Sequence, residues 1–208
     1  VHIILKENVL WVVVIPNMNG YVIIVENQSN FSKMCWEHFH GEKISQNSKI
    51  IYNGVDLEQF YPKLTSRKGD ELNLVISGSF RIHKRLQEAL KILFLLVKIV
   101  PNSCLNILGN MDTQTKWLVS EIVNKNISIK NKIRFIDYLE FDLLPSFYQK
   151  MDIMLHPSWL DPCPNVVVEG LASGLPVVCA STGGTPELVK DGGIIIDENF
   201  EMDFTEYY

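Results

Sequence analysis

Short apolar runs alternate with longer stretches of mixed polarity through most of the chain. The runs are continuous rather than alternating, which is typical of strands buried on both faces of a parallel sheet. They predict strands at residues 72–76, 104–108, 132–136, 153–156, 176–180 and 193–196. The stretches between them predict helices at residues 84–100, 113–123, 143–150, 164–173 and 186–189.

This alternation of strand and helix predicts an α/β fold. Repeated strand–helix units form right-handed crossovers, and these build a Rossmann-like open parallel sheet flanked by helices. Such sheets bind ligands beyond the carboxyl ends of their strands. We therefore expect the chemistry of this protein to lie in its strand-to-helix loops.

The first third of the chain has a different texture. Its apolar runs are separated by Asn, Gly and Pro, and they predict strands at 21–25 and 50–52 with a capped helix at 29–40. A polar stretch at 65–70 is the best candidate for a linker. We predict a first unit at 1–66 and a sheet domain at 67–208 that is cut short at its C-terminus.

Composition narrows the class of protein. Of the 208 residues, 47% are hydrophobic and 21% are charged, as in a soluble globular protein, and the net charge of −5 argues against nucleic-acid binding. The longest apolar runs are far shorter than the roughly 20 residues of a membrane span. Four separated cysteines without a Cys-x-x-Cys pair favour reduced thiols in the cytosol.

Three loops carry the candidate chemistry, and the first follows the strand at 72–76. Gly78 permits close approach of a ligand, and Arg81, His83, Lys84 and Arg85 follow it. Cations are unfavourable at the start of a helix, so an anionic ligand would explain them. A solvated basic turn remains the alternative. The loop has neither a Walker motif nor Gly-x-Gly-x-x-Gly.

The second loop precedes the helix predicted at 164–173. Pro164 suits the first helical position, and the backbone N–H groups that follow it are free to bind an anion. Asp161 and Glu169 are separated by seven residues, so both can face the mouth of the sheet. The alternatives are that Asp161 is only a helix cap and Glu169 an exposed helix charge.

The third loop contains Gly183 and Gly184, followed by Thr185 as the predicted N-cap and Pro186 at the first helical position. This too has the form of a backbone anion site, although an ordinary connection would have the same residues. Three such loops on one sheet edge together indicate a phosphate-bearing ligand with a polyhydroxylated group beside it.

At these loops the sequence resembles the family 4 glycosyltransferases, which are group 1 enzymes of the two-domain GT-B fold. The resemblance extends from about residue 21 to 197 and is densest at 51–60 and 156–184. The family signature has two Glu separated by seven residues, then Ala-x-Gly-x-Pro-Val-Val and Gly-Gly-x-x-Glu. Here it is found as Asp161-x7-Glu169, residues 172–178, and Gly183 through Glu187.

The resemblance implies a role for each matching residue. Glu169 would hydrogen-bond the donor ribose, Asp161 the donor sugar, and Lys84 the diphosphate. It also implies that Asn165 and Val166 contact the donor sugar or phosphate. Together with residues of the first and third loops, the predicted donor-binding set is completed by Gly78, Arg81, Gly183 and Gly184. The sequence departs from the family pattern at two positions. Asp161 stands where the family usually has Glu, and Ser79 stands where it usually has Arg, so Arg81 would have to take over the role of that Arg.

The implied activity is transfer of a sugar from a nucleotide-diphosphate sugar to an acceptor hydroxyl, with retention of configuration. No Asp-x-Asp triplet is present, which agrees with catalysis without a metal or other cofactor. The chain would be the C-terminal, donor-binding half of a GT-B fold, and 1–66 the tail of its acceptor-side domain. Alone it is expected to be weakly active or inactive.

The implied acceptor is a sugar or a lipid-linked sugar, as in polysaccharide biosynthesis. A cytoplasmic location is expected, with peripheral membrane association through a missing N-terminal domain as a further option.

Three alternatives remain open on the sequence. The first is a non-catalytic paralogue that binds a nucleotide sugar. The second is another GT-B enzyme, such as a sugar-nucleotide epimerase or a phosphorylase. The third is a regulatory domain of the phosphorelay type, which would need acidic residues after the first sheet strand, where this chain has Ser79, Arg81 and Lys84.

Overall fold

The computed structural model describes residues 10–17, 20–41, 43, 48–63 and 69–198, with the backbone alone at 10–17, 20–26 and 40. Most of the predicted linker at 65–70 lies outside these residues. The predicted domain boundary at 66 therefore stays a prediction.

The first part of the chain forms a small sheet with one helix. Strands β1 (Leu10–Asn17) and β2 (Gly20–Asn27) pair antiparallel, and β3 (Lys49–Ile50) pairs parallel to β2. Helix α1 (Asn30–His40) begins at Ser29, whose side chain forms a capping box with Ser32. Strand β1 was not predicted, and the strand predicted at 50–52 is shorter and ends at residue 50.

The rest of the described chain forms a six-stranded sheet in which every pair of neighbours is parallel. Its strands are β4 (Leu72–Ser77), β5 (Ser103–Leu108), β6 (Ile133–Ile136), β7 (Ile153–His156), β8 (Val177–Ala180) and β9 (Gly193–Ile196). The helices are α2 (Leu86–Leu96), α3 (Thr113–Lys125), α4 (Leu144–Tyr148), α5 (Asn165–Ala172) and α6 (Thr185–Val189). The prediction of a Rossmann-like open parallel sheet is confirmed.

The strand order β6-β5-β4-β7-β8-β9 reverses direction between β4 and β7. Ligands of open α/β sheets bind in the crevice at such a switch point. The first and second candidate loops leave these two central strands, so the topology brings them side by side. Two buried apolar clusters hold the sheet, one around α2, β4 and β5 and the other around Phe60, Tyr148 and α5.

Several helix boundaries differ from those predicted. The helix predicted at 84–100 begins only at Leu86, after a 3-10 turn at Ile82–Lys84, because Arg85 has a left-handed backbone (φ 51°). Pro164 caps α5 instead of occupying its first position. In α6, Gly184 is the N-cap and Thr185 the first helical residue.

Candidate functional site

Lys84 and Asp161 join the first and second loops across the switch point. Lys84 lies in the 3-10 turn after β4, and its Nζ donates to Asp161 Oδ2 in the loop after β7. The two side chains are only 21% and 11% exposed. A cation and an anion thus meet at the carboxyl edge of the sheet, where the fold favours a ligand.

His156 lies behind this pair, at the last position of β7, and is fully buried. Its Nε2 is 3.5 Å from Asp161 Oδ2, too long for a well-formed hydrogen bond, and has no other hydrogen-bond partner. Burial lowers the pKa of His156, so the imidazole is neutral at pH 7.

The pKa of Asp161 reflects two opposed effects. Burial raises it, but the contacts with His156 and with the charge of Lys84 outweigh burial and lower the pKa from 3.8 to about 2. Asp161 is therefore ionised at any pH near neutrality.

Glu169 lies on α5 and lines a cavity of about 310 Å³ at the same sheet edge. The cavity is bounded by the loops after β4, β5 and β6, and by α4 and α5. The residues lining it include Ser77, Gly78, Ser79, Gly109, Asn110, Asp137, Tyr138, Leu139, Tyr148 and Val166. Two of the predicted donor-binding residues, Gly78 and Val166, thus share one cavity with Glu169.

Tyr148 forms a hydrogen bond with the carboxylate of Glu169. It is completely buried, and its hydroxyl donates to Glu169 Oε2 over 3.4 Å. Burial raises the pKa of Glu169 above 4.5, and the hydrogen bond from Tyr148 partly offsets this by lowering it. One hydrogen bond leaves most of the acceptor capacity of the carboxylate unused, and Glu169 lines the cavity, so it can accept from a hydroxyl there.

Gly183 and Gly184 pack against the backbone that carries Asp161. The N–H of Gly184 donates to Asp161 O over 2.8 Å. A Cβ on Gly184 would lie 1.9 Å from Pro162 O, and a Cβ on Gly183 would lie 3.0 Å from the backbone of Asp161. Gly183 also has a positive φ of 87°. Close approach of the two loops therefore requires glycine here.

Arg85 and Trp159 brace the first loop against the second. The Arg85 guanidinium lies 4.4 Å from the centre of the Trp159 ring and donates to Pro157 O over 3.2 Å. The backbone N–H of Trp159 donates to His83 O over 2.9 Å. Arg85 also forms an ion pair with Glu198. Its part is thus structural, and of the four basic residues only Lys84 bonds the Asp161 carboxylate.

Asn53 contacts the second loop, and this contact was not predicted from the sequence. Its side-chain amide donates to Cys163 O over 2.8 Å and to Asn165 Oδ1 over 2.7 Å. The segment 53–56 lies where the family resemblance is dense, and this resemblance was the one signal that could have indicated a role for Asn53. These bonds fix the segment that leads from Asp161 into α5.

The remaining predicted residues are more exposed. Asn165 and Arg81 are both largely accessible to solvent, and Arg81 lies at the start of the 3-10 turn that contains Lys84. Within the described ranges no group of three or more His, Cys, Asp or Glu side chains could hold a metal. All four cysteines are free.

A second cavity, of about 610 Å³, lies at the opposite edge of the sheet. It is lined by residues at the amino ends of β4, β7 and β8, among them Asn73, Asp152 and Leu175. Open parallel sheets bind ligands beyond the carboxyl ends of their strands, and this cavity lies at the amino ends. The smaller cavity beside Glu169 is therefore the candidate site.

Comparison with known proteins identifies the family. The family described as "Glycosyl transferases group 1" matches residues 58–207, which is most of the chain. This protein belongs to the group 1 glycosyl transferases. In the part of the chain that the structure describes, no helix has both the length and the apolar character needed to cross a membrane.

Curated relatives are distant in sequence. Spore coat protein SA of Bacillus subtilis is 24% identical over 170 residues, covering 73% of this chain and 45% of the relative. The D-inositol 3-phosphate glycosyltransferase of Corynebacterium kroppenstedtii is 28% identical over 185 residues, covering 80% of this chain and 40% of the relative. The chain spans less than half the length of these two relatives.

Solved structures share the fold. HepE of Anabaena in complex with UDP superposes with a TM-score of 0.68 at 20% identity, over 83% of this chain and 49% of that one. The C-terminal domain of the group 1 protein LpcC of Francisella tularensis gives a TM-score of 0.59 at 23% identity, over 69% and 80%. The chain thus has the fold of the C-terminal domain of GT-B glycosyltransferases.

Proposed function

We propose that this chain is the donor-binding half of a glycosyltransferase that moves a sugar from a nucleotide-diphosphate sugar to an acceptor hydroxyl with retention. The observation that carries the proposal is the joining of three loops at the switch point. Glu169 lies in a cavity there, and Lys84 and Asp161 lie on the facing loops. Solved complexes of HepE with UDP and with UDP-glucose, which share this fold, support a nucleotide sugar as ligand.

The remaining acceptor capacity of the Glu169 carboxylate suits the ribose hydroxyls of the donor. Its position in a cavity of about 310 Å³ leaves room for a base on the side of Tyr138 and Leu139. The diphosphate would then lie between Lys84 and the N-terminus of α5, where free N–H groups favour an anion.

Asp161 would accept hydrogen bonds from the donor sugar. Its carboxylate is ionised and is held by Lys84. The adjacent Gly183–Gly184 backbone packs directly against the backbone of Asp161 and Pro162, so it fixes the position from which the Asp161 carboxylate would meet the sugar.

In this mechanism the acceptor hydroxyl attacks the anomeric carbon on the face from which the nucleoside diphosphate leaves. The new carbon–oxygen bond replaces the bond to phosphate, and the proton of the hydroxyl passes to the departing phosphate. Negative charge builds up on the leaving group, so Lys84 and the α5 N–H groups stabilise the transition state more than the ground state. The protein supplies this charge without a metal. Retention, independence of metal and a sugar or lipid-linked acceptor all remain predictions, as do a cytoplasmic location and membrane association through another domain.

The second candidate is a paralogue that binds a nucleotide sugar without transferring it. The observation that favours it is the short Asp161 side chain, which is already engaged by Lys84. Retention and turnover can be tested in a version of the protein with its complete acceptor-side domain, by NMR of the anomeric configuration of the product.

Binding to this chain can be measured directly by calorimetry with UDP, GDP and ADP, each with and without EDTA. We expect one nucleotide to be preferred, EDTA to have no effect, and Glu169→Ala to weaken binding at least tenfold. Glu121→Ala is the matched control, because Glu121 is 43% exposed on α3 and does not line the cavity. Binding that disappears with EDTA, or that survives Glu169→Ala unchanged, would contradict the proposal.

A further inference from the structure

Glu187, the last residue of the Gly-Gly-x-x-Glu element, has no role in the proposed site so far. Its carboxylate accepts four hydrogen bonds from residues far earlier in the chain. Oε1 accepts from Phe31 N over 2.8 Å, and Oε2 accepts from Asn30 N over 2.9 Å. Oε2 also accepts from Asn30 Nδ2 over 2.8 Å and from the Tyr52 hydroxyl over 3.0 Å. With its oxygens bonded in this way, Glu187 is poorly placed to bind a ligand.

The partner of this carboxylate is the N-terminus of α1. Asn30 and Phe31 are the first residues of that helix, whose opening N–H groups have no partner within the helix. The first turn of α1 contains no acidic residue of its own. Glu187 therefore provides the negative charge that the positive end of the helix dipole favours.

This contact is adjacent to the loop proposed to hold the donor sugar. Gly184, the N-cap of α6, packs so closely on α1 that a Cβ there would lie 2.7 Å from Ser29 Oγ. The N–H of the same Gly184 donates to Asp161 O over 2.8 Å. One short segment, 183–187, thus bonds α1 at one end and the backbone of Asp161 at the other.

We propose that Glu187 is a positioning residue: it docks α1 onto the segment 183–187 and so holds the Gly183–Gly184 backbone against Asp161. This inference rests on the proposed function, because it makes Glu187 a determinant of binding to the sugar part of the donor. The nucleotide part is bound elsewhere, in the cavity that Glu169 and Tyr148 line.

The inference predicts a difference between two ligands. Losing the Glu187 contact should loosen the backbone beside Asp161 and leave the cavity beside Glu169 intact. A substitution that merely destabilised the domain would weaken the nucleoside diphosphate and its sugar conjugate to the same extent.

The test is calorimetry on Glu187→Gln with UDP and UDP-glucose, or with GDP and GDP-mannose if the wild type prefers guanine. In the Gln variant an NH₂ group replaces one acceptor oxygen. A donor then faces the N–H donors of α1, so hydrogen bonds to Glu187 are lost. We expect the affinity for the diphosphate to stay within about twofold and that for the nucleotide sugar to fall about tenfold. Glu121→Gln is the matched control, because it removes the same charge from an exposed position.

Two further measurements keep the test decisive. Tyr52→Phe removes one of the four donors while keeping the ring, so it should show the same selective loss on a smaller scale. Hydrogen exchange should show faster exchange of the Asn30 and Phe31 amides in Glu187→Gln.

The outcomes separate the two proposals. If the wild type binds no nucleotide, the proposed function is wrong. If the wild type binds but Glu187→Gln weakens both ligands equally, or neither, the positioning role is wrong. Unchanged exchange of the two amides would also overturn it.

Discussion

Lys84 and Asp161 are 77 positions apart in the sequence, and they form a salt bridge where strands β4 and β7 diverge. The bridge connects the two loops that the strand order places on either side of the crevice. It also joins the residue proposed for the diphosphate to the residue proposed for the sugar, so the two are electrostatically coupled.

Asp161→Asn should destabilise the fold at pH 7. The substitution leaves Lys84, whose side chain is only 21% exposed, without its anionic partner. We expect the free energy of unfolding to fall by about 1–3 kcal/mol, measured by urea denaturation. Glu88→Gln is the control: it breaks a pair with the 62% exposed Lys91, so its effect should stay below about 0.5 kcal/mol.

The difference in unfolding free energy between the wild type and Asp161→Asn should depend on pH. The folded-state pKa of Asp161, about 2, is below its ordinary 3.8, so the stabilisation is present above pH 3.8 and is lost as pH falls towards 2. Wild type and Asp161→Asn should therefore converge in stability between pH 4 and pH 2. A constant difference over this range would show that the carboxylate charge is not the cause.

Nucleotide-sugar binding should weaken as pH falls through the pKa of Glu169. Burial raises that pKa above 4.5, and protonation removes the charge that favours the ribose hydroxyls. Calorimetry with a nucleotide sugar avoids the titration of a terminal phosphate, whose second pKa is about 6. We expect a midpoint above pH 4.5 in the wild type, and weak binding without this midpoint in Glu169→Gln.

Glu169→Gln should also leave the fold as stable as the wild type, or more stable. A raised carboxyl pKa means that the folded state disfavours the charge, so removing the charge relieves a cost at neutral pH. A clear loss of stability on urea denaturation would instead assign Glu169 a structural part.

Tyr148→Phe should shift the pH midpoint of binding upward. The hydroxyl of Tyr148 lowers the pKa of Glu169 through a hydrogen bond of 3.4 Å, and the variant removes only that group. We expect the midpoint to rise, because without this hydrogen bond only burial acts on the carboxyl pKa of Glu169. Tyr61→Phe serves as the control, because Tyr61 is 53% exposed and does not line the cavity. A downward shift, or none, would contradict the pairing.

Gly184→Ala should disrupt the third loop. Its Cβ would lie 1.9 Å from Pro162 O and 2.7 Å from Ser29 Oγ, so backbone must move. We expect a loss of about 1–3 kcal/mol in urea denaturation. At Gly54 a Cβ meets nothing within 4 Å, so Gly54→Ala should be nearly neutral. Equal effects at the two positions would contradict the packing argument.

The sheet domain could largely be predicted from the sequence. The strands β4 to β9 are continuous apolar runs, and each of them was predicted to within a residue or two. Helix boundaries were less accurate, because they depend on contacts outside the helix. Arg85 adopts its left-handed backbone while its side chain bonds Pro157 and Glu198, and neither contact is visible near position 85 in the sequence.

The sequence by itself determined the sheet, its helices and the three loops, since apolar periodicity and glycine or proline at loop positions are local signals. Only the tertiary structure decided which residues meet. Three contacts were decided in this way: Lys84 with Asp161, Tyr148 with Glu169, and Glu187 with α1. They depend on the strand order β6-β5-β4-β7-β8-β9 and on the packing of α1 against the third loop. These pairs are separated by 21 to 157 positions. No local pattern encodes them, because their contact energy arises only after the whole sheet has formed.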